Sequence, residues 1–236
     1  MSGYREWRPP AELRGVVACL WEHGGARTGA EQVVVPDGCV DLIWREGRIE
    51  IAGPDTGPWT SALAPGERLR GIRASPGAAP LLLGVPAREL RDLRVDGTDL
   101  WGPRSTGLAE RIGAEPERAG SELVEFALAR LSEWRADPAV GAAVAALDQS
   151  RPPSVRRLAA DLGLSERQLR RRLVDSVGYG PSALVGVLRF QRAARLGRRL
   201  PVAEAAALAG YADQAHLGRE FRRLTGLTPR RYLSRS

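Results

Sequence analysis

The stretch from Ser154 to Leu233 repeats itself, and this constrains the chain more than any other feature. Its first half runs Val155, Leu158-Ala159, Gly163-Leu164, Ser165, Leu169, Leu173 and Gly178-Tyr179-Gly180-Pro181. Its second half runs Val202, Ala205-Ala206, Gly210-Tyr211, Asp213, Leu217, Phe221 and Gly226-Leu227-Thr228-Pro229. The offset is 47 residues as far as the glycine and 48 beyond it, so the second copy has a turn one residue longer. Two copies are too few for a solenoid, so this is one supersecondary unit used twice.

Each copy predicts helix, tight turn, helix. Ser154 caps a helix whose apolar face carries Val155, Leu158, Ala159 and Leu162 at helical spacing. Ala159 is small where a second helix must cross closely, and Gly163 supplies the left-handed residue that ends the first helix. Ser165 with Gln168 fits a capping box, so a second helix starts there, burying Leu169, Leu173 and Val177 and turning Arg167, Arg170 and Arg171 outward. A short turn between crossing helices, with a basic outer face on the second, is how a helix-turn-helix offers a recognition helix to the DNA major groove. A long helix from about Ser182 to Leu200 joins the two units.

Residues 151–236 resemble the DNA-binding domain of AraC/XylS-type transcription regulators. The resemblance rests on Leu158-Ala159, Gly163-Leu164-Ser165, Gln168-Leu169, Gly178 and Pro181 in the first copy. In the second it rests on Ala206, Gly210-Tyr211, Asp213-Gln214, His216-Leu217, Phe221, Gly226, Pro229 and Tyr232. It implies double-stranded DNA as partner, with recognition helices in successive major grooves about 34 Å apart. Carried over by position, the base-reading candidates are Arg167, Gln168, Arg170 and Arg171, then Gln214, Ala215, Gly218 and Arg219. Ala215 and Gly218 offer little hydrogen bonding, so the second unit is expected to discriminate less. Candidates for the phosphate backbone are Ser154, Ser165, Arg189, Arg192, His216 and Arg222.

Charge supports this division. The 35 basic residues are all arginine; residues 151–236 hold 18 of them against 6 acids, a net of +12. Residues 1–150 are net −5, so an overall pI of about 10.5 hides an acidic half joined to a very basic one. A basic face attracts phosphate and makes binding salt-dependent.

The first hundred residues predict short strands with Gly/Pro turns, as in a small barrel or sandwich. Val16 to Trp21, Val33 to Val35, Val40 to Trp44 and Arg48 to Ala52 are strand candidates, with turns at Pro36-Asp37-Gly38 and Glu46-Gly47. His23-Gly24-Gly25 opens a loop. Asp41 lies within an apolar strand, either on a solvent face or hydrogen-bonded inside. Val35 to Trp44, Gly53-Pro54, Gly71-Ile72-Arg73, Pro76-Gly77 and Leu100-Trp101-Gly102 resemble the uncharacterised N-terminal domain of one subgroup of those regulators, over roughly 10–105. That implies a cupin-like β domain with a sensing or dimerising role; Ala74 stands where a large aromatic is expected. Cys39, Asp41, Trp44 and Trp59 are the candidates for an effector pocket.

Helical periodicity is expected from Leu108. One helix runs from Ser121 to Trp134 with Leu123, Val124, Leu128, Leu131 and Trp134 near one face. Another is capped by Asp137 with Pro138 first and carries Val140, Val144 and Leu147. In related regulators helices here often pair two protomers; the alternative is that they pack on the β domain. The expected organisation is 1–107 β-rich sensing domain, 108–148 helical segment, 149–153 linker and 154–236 tandem helix-turn-helix. The fold class is thus α+β: a cupin-like β-rich domain, helices, then an all-α domain with two helix-turn-helix units joined by a long helix.

Enzymatic chemistry finds little support. There are two histidines, His23 and His216, and two cysteines, Cys19 and Cys39. No His-x-His pair suits a cupin metal and no Gly-rich Lys loop cradles phosphate, so neither cofactor nor metal is expected. The missing cysteine cluster argues against DNA-repair enzymes that carry the same helix-turn-helix domain. Metal or redox chemistry at Cys39 is an alternative, as is non-specific nucleoid-type DNA binding. No run of some 18 apolar residues or signal-peptide core appears, which points to a cytoplasmic protein. A small-molecule effector, RNA polymerase and a second copy of the chain complete the expected partners.

Overall fold

Alternation with period two builds the first half of the chain. In the computed structural model, which describes residues 3–24, 30–133 and 135–234, β1 (Arg5–Trp7), β2 (Val17–Gly24), β7 (Arg68–Ala74), β4 (Val40–Arg45), β5 (Arg48–Ala52) and β8 (Arg94–Asp96) form one antiparallel sheet in that order. A second, two-stranded sheet of β3 (Ala30–Val34) and β6 (Trp59–Leu63) covers one of its faces. Register divides the side chains cleanly. Leu42 sits opposite Ile51 and Ile72, and these three bury against helices; Ile43 and Leu69 point the other way, toward Leu63 of the second sheet. The β4–β5 turn has positive φ at both Glu46 (45°) and Gly47 (80°), the backbone that matches a tight hairpin to the strand twist.

Helices begin earlier than the periodicity suggested. α1 (Ala79–Leu83), the 3-10 turn Ala87–Leu90 and α2 (Gly97–Trp101) all precede residue 108, and α3 (Pro103–Ala114) runs across it. Each early piece is a turn or so long, too short to show a period. Local chemistry starts them instead: Pro80 and Pro103 lie in first turns, and the Asp96 carboxylate accepts from the Thr98 backbone N–H.

α4 (Ala119–Glu133) packs on the helix-facing side of the large sheet through Leu123 and Ala127. Its buried face is rotated from the expected one. Leu128 is exposed, while Arg130 is buried and donates to the Leu82 carbonyl at 3.0 Å. Trp134 lies outside the described residues.

α5 (Pro138–Leu147), capped by Asp137 as expected, keeps contact with the β half near Gly77 and turns its buried face to the second half. Its Val140, Ala143 and Leu147 join the core made by α6 (Val155–Asp161), α7 (Glu166–Val177), α8 (Pro181–Gly197), α9 (Val202–Ala209), α10 (Gln214–Thr225) and α11 (Pro229–Leu233). The helices expected as one segment over 108–148 therefore divide between two cores. Phe190, fully buried on α8, is the centre of the second core: its ring meets Phe221 of α10 at 4.9 Å and Tyr232 of α11 at 5.8 Å.

The two halves meet along a seam. Tyr179, in the turn after α7, is 3% exposed and donates from its hydroxyl to the Asp55 carbonyl at 3.3 Å. Gln191 of α8 donates to the Pro36 carbonyl at 2.6 Å, and Arg88 pairs with Asp175 of α7.

Candidate nucleic-acid interface

The first recognition helix is set by its cap. Ser165 Oγ accepts from the Gln168 backbone N–H, and the Gln168 side-chain oxygen accepts from the Ser165 N–H at 2.8 Å. Gly163, at φ +65°, makes the turn that places this cap beside the end of α6. Leu169, Leu173 and Val177 then lock the inner face, leaving Arg167, Arg170 and Arg171 exposed. Gln168 is exposed too, but its acceptor oxygen is committed to the cap, so only its amide N–H groups can reach a base.

The second unit repeats the device with other residues. Asp213 caps α10 by accepting from the His216 N–H at 2.6 Å. Gln214, Ala215, Arg219 and Arg222 are exposed along one concavity, with Gly218 at its floor and Arg230 of α11 on its rim. Gly218 itself is buried, so as a base-reading candidate it offers clearance for another group and no contact of its own. Arg230 escaped the sequence reading; the signal was there in Thr228-Pro229, which caps and opens a helix immediately before two arginines.

The backbone candidates fare unevenly. Arg222 is exposed, and Arg189, half-buried, lies over the Tyr211 ring at 5.4 Å. Ser154 and Ser165 spend their hydroxyl acceptors on helix caps. His216 packs edge-on against Tyr211 at 5.1 Å with Glu220 one turn on, tying it to its own unit. Arg192 is a correction. Its side chain turns inward and is 13% exposed, bound to Asp148 Oδ1 at 2.6 Å and to the carbonyls of Gln149 and Ala209. It clamps the joining helix to the segment before the first unit and to the end of α9, because those free helix-end carbonyls need donors. Arg192→Ala is therefore expected to lower stability by about 1–2 kcal/mol and to leave the salt slope of DNA binding unchanged. Urea melts and a salt titration measure the two; a slope lower by about one would restore the phosphate role.

On the barrel side, the face of β4 that points away from the helices lines a cavity of about 370 Å³ between the two sheets. Asp41 is inside and hydrogen-bonded: it accepts from Trp21 Nε1 at 2.8 Å and from Arg73 Nε at 3.1 Å. Trp59 also lines the cavity. Trp44 does not; parity puts it on the helix side, where its Nε1 donates to the Ala109 carbonyl at 3.2 Å. Ala74 faces that side as well and so does not shape the cavity.

Cys39 is also absent from the cavity lining. Burial, then the Asp37 carboxylate, pushes its thiol well above the ordinary range, the opposite of an activated cysteine, so the redox or metal alternative at this residue loses its footing. Among the described residues no group of three His, Cys, Asp or Glu side chains is placed to hold a metal ion, and no helix is long and apolar enough to cross a membrane.

Two family models match the chain. One, described as "Helix-turn-helix domain", covers residues 158–235. Together with the paired capped turns and recognition helices, that decides the second half. Residues 158–235 are a helix-turn-helix domain. The other model, described as "Domain of unknown function (DUF6597)", covers residues 5–96, from β1 to β8 with the short α1 between them.

Over 81 residues the chain is 32% identical to the HTH-type transcriptional regulator MtrA of Neisseria gonorrhoeae. That match takes in 34% of this chain but spans only 27% of MtrA. An AraC-type transcriptional regulator structure from Chromobacterium violaceum is 25% identical, covering 42% of this chain and 91% of its own, at a TM-score of 0.39. ToxT from Vibrio cholerae is 10% identical over 99% of this chain and 96% of its own, at a TM-score of 0.46.

Proposed function

We propose that the protein is a transcription regulator that reads an asymmetric DNA site through α7 and α10, under control of a small molecule bound in its N-terminal barrel. One observation carries the DNA half: two capped recognition helices with exposed arginines are mounted on a single joining helix, in the half with net charge +12. Arg167, Arg170 and Arg171 are the base readers of the first unit. Gln214 and Arg219 serve the second, with Ala215 limited to apolar contact. Arg189, Arg222 and Arg230 take phosphate.

The control half is supported by where the barrel sits. Asp175, paired to Arg88, lies one turn beyond Arg171 on the outward stripe of α7. The N-terminal unit and DNA thus approach the same recognition helix from its two ends. A small molecule that favours one seam arrangement would bias DNA binding by its differential affinity for the two.

Arg171→Ala tests the reading. Selection from a random DNA pool with the full chain, followed by affinity measurements, should show a loss of about 1–3 kcal/mol on the selected site and much less on random duplex. An equal loss on both would make the protein a non-specific, nucleoid-type binder.

A further inference from the structure

We propose that the barrel cavity takes a small organic cation, a protonated amine carried on an apolar body about the size of one aromatic ring. The inference rests on the reading of that cavity as an effector site and adds the chemistry of its ligand.

Three arginines line the cavity, yet each is already matched by a carboxylate. Arg73 forks onto Asp41, with Nε and Nη2 donating at 3.1 and 3.2 Å. Arg45 forks onto Glu67, with Nε at 2.6 Å and Nη2 at 3.3 Å. Arg94 forks onto Asp55 at 2.9 and 2.7 Å. Paired fork to fork, these guanidinium groups have their charge matched and two N–H groups each committed to a carboxylate. An anionic ligand would have to compete with a bound carboxylate for the charge of each one.

What remains unpaired is negative. Glu50 lines the cavity from β5, half-buried, and its side chain has no hydrogen-bond or ion-pair partner among the described residues. The residues beside it do not change the balance. Asp96, opposite it in the ladder, caps α2, and exposed Arg48 lies two residues along at the open end. His23, also in the lining, has its pKa lowered by burial and brings no charge near neutral pH. With Asp41, Glu67 and Asp55 set against the three arginines, Glu50 is the lining carboxylate left without a matching cation.

The walls suit the rest of such a ligand. Trp21, Trp59, Ile43, Ala52 and Leu69 give apolar surface, and 370 Å³ is room for a single ring with a short chain. Trp59 already stacks one cation, the Arg94 guanidinium 4.5 Å from its ring centre, and is still 43% exposed. An ammonium group drawn to Glu50 within a pocket edged by indole rings would gain from both charge and π-face attraction.

Three probes of one shape and different charge test this: 2-phenylethylammonium, 2-phenylethanol and 3-phenylpropionate, each titrated by calorimetry into the full chain. The ammonium probe should bind about tenfold more tightly than the other two, and Glu50→Gln, which keeps shape and register, should remove that preference. Trp59→Ala should weaken all three. If the alcohol or the carboxylate binds as well as the amine and loses affinity with Trp59→Ala, the cation assignment falls while the effector site stands. If the amine preference survives Glu50→Gln, the role given to Glu50 is wrong. If none of the three binds, the effector-site reading fails with it.

Discussion

Gly178→Ala is expected to destabilise the protein by about 2–4 kcal/mol and to loosen the seam between its halves. Two effects add. Gly178 closes α7 at φ +90°, where any L side chain is strained, and an added Cβ would stand 2.4 Å from Pro54 Cγ, across the seam. Relief requires the turn at Pro54 to move, and Tyr179 with it, because the Tyr179 hydroxyl donates to the neighbouring Asp55 carbonyl. Gly163→Ala is the control. Gly163 has a comparable φ of +65° but open space where a Cβ would go, so it should cost only about 1–2 kcal/mol for the left-handed backbone. Urea melts of both variants compare the costs, and amide exchange across residues 53–55 reports the seam. Equal costs with unchanged exchange would mean the seam yields without penalty.

Phe190→Ala should cost about 3–5 kcal/mol, a large part of the 5–15 kcal/mol that holds a typical domain folded. Phe190 has no exposed surface and its ring meets both Phe221 and Tyr232 edge-on, so truncation leaves a cavity at the point where α8, α10 and α11 converge. The functional loss should be sharper than the loss of stability suggests. α8 fixes one recognition helix relative to the other, and a slack joint costs the site its spacing. Thermal melts together with affinity for selected and half-site DNA would show this: the preference for the full site should collapse toward that of a half-site. A variant that keeps the full preference at a lowered melting temperature would mean that α10 is held by other contacts.

Legibility in the sequence followed the length of the signal. The repeat spans two units, so its caps, left-handed glycines and buried faces at Leu169, Leu173, Leu217 and Phe221 were all visible. Strands such as Val40 to Trp44 were legible too, but whether Asp41 within that strand faced solvent or a partner was left open until Trp21 and Arg73 were found beside it. Parity misled at Trp44, because residues 40 and 41 face opposite ways and the sequence does not say which face holds a cavity. Arg192 misled for a related reason. An arginine on a basic helix resembles a phosphate ligand until the carbonyl ends of two other helices are found within its reach. The division of 108–148 between two cores was not visible, since α4 and α5 are both apolar along one side and neither names what it packs against. Glu50 gave no signal at all; a carboxylate earns notice only once its neighbours are seen to be paired among themselves.

The socket around Tyr179 bears on how this protein can be recombined. Its phenol is closed in by the backbone of Asp55 and lies beside Gly178, which is itself pressed against Pro54, while Gln191 reaches the Pro36 carbonyl. The halves are therefore not interchangeable modules on a string. A chimera that grafts a foreign barrel onto residues 137–236 inherits a ring and two hydrogen-bonding groups cut to fit a surface it no longer has. To transplant the control along with the barrel, the graft must bring the turns at 36–39, 53–55 and 86–91 as one set.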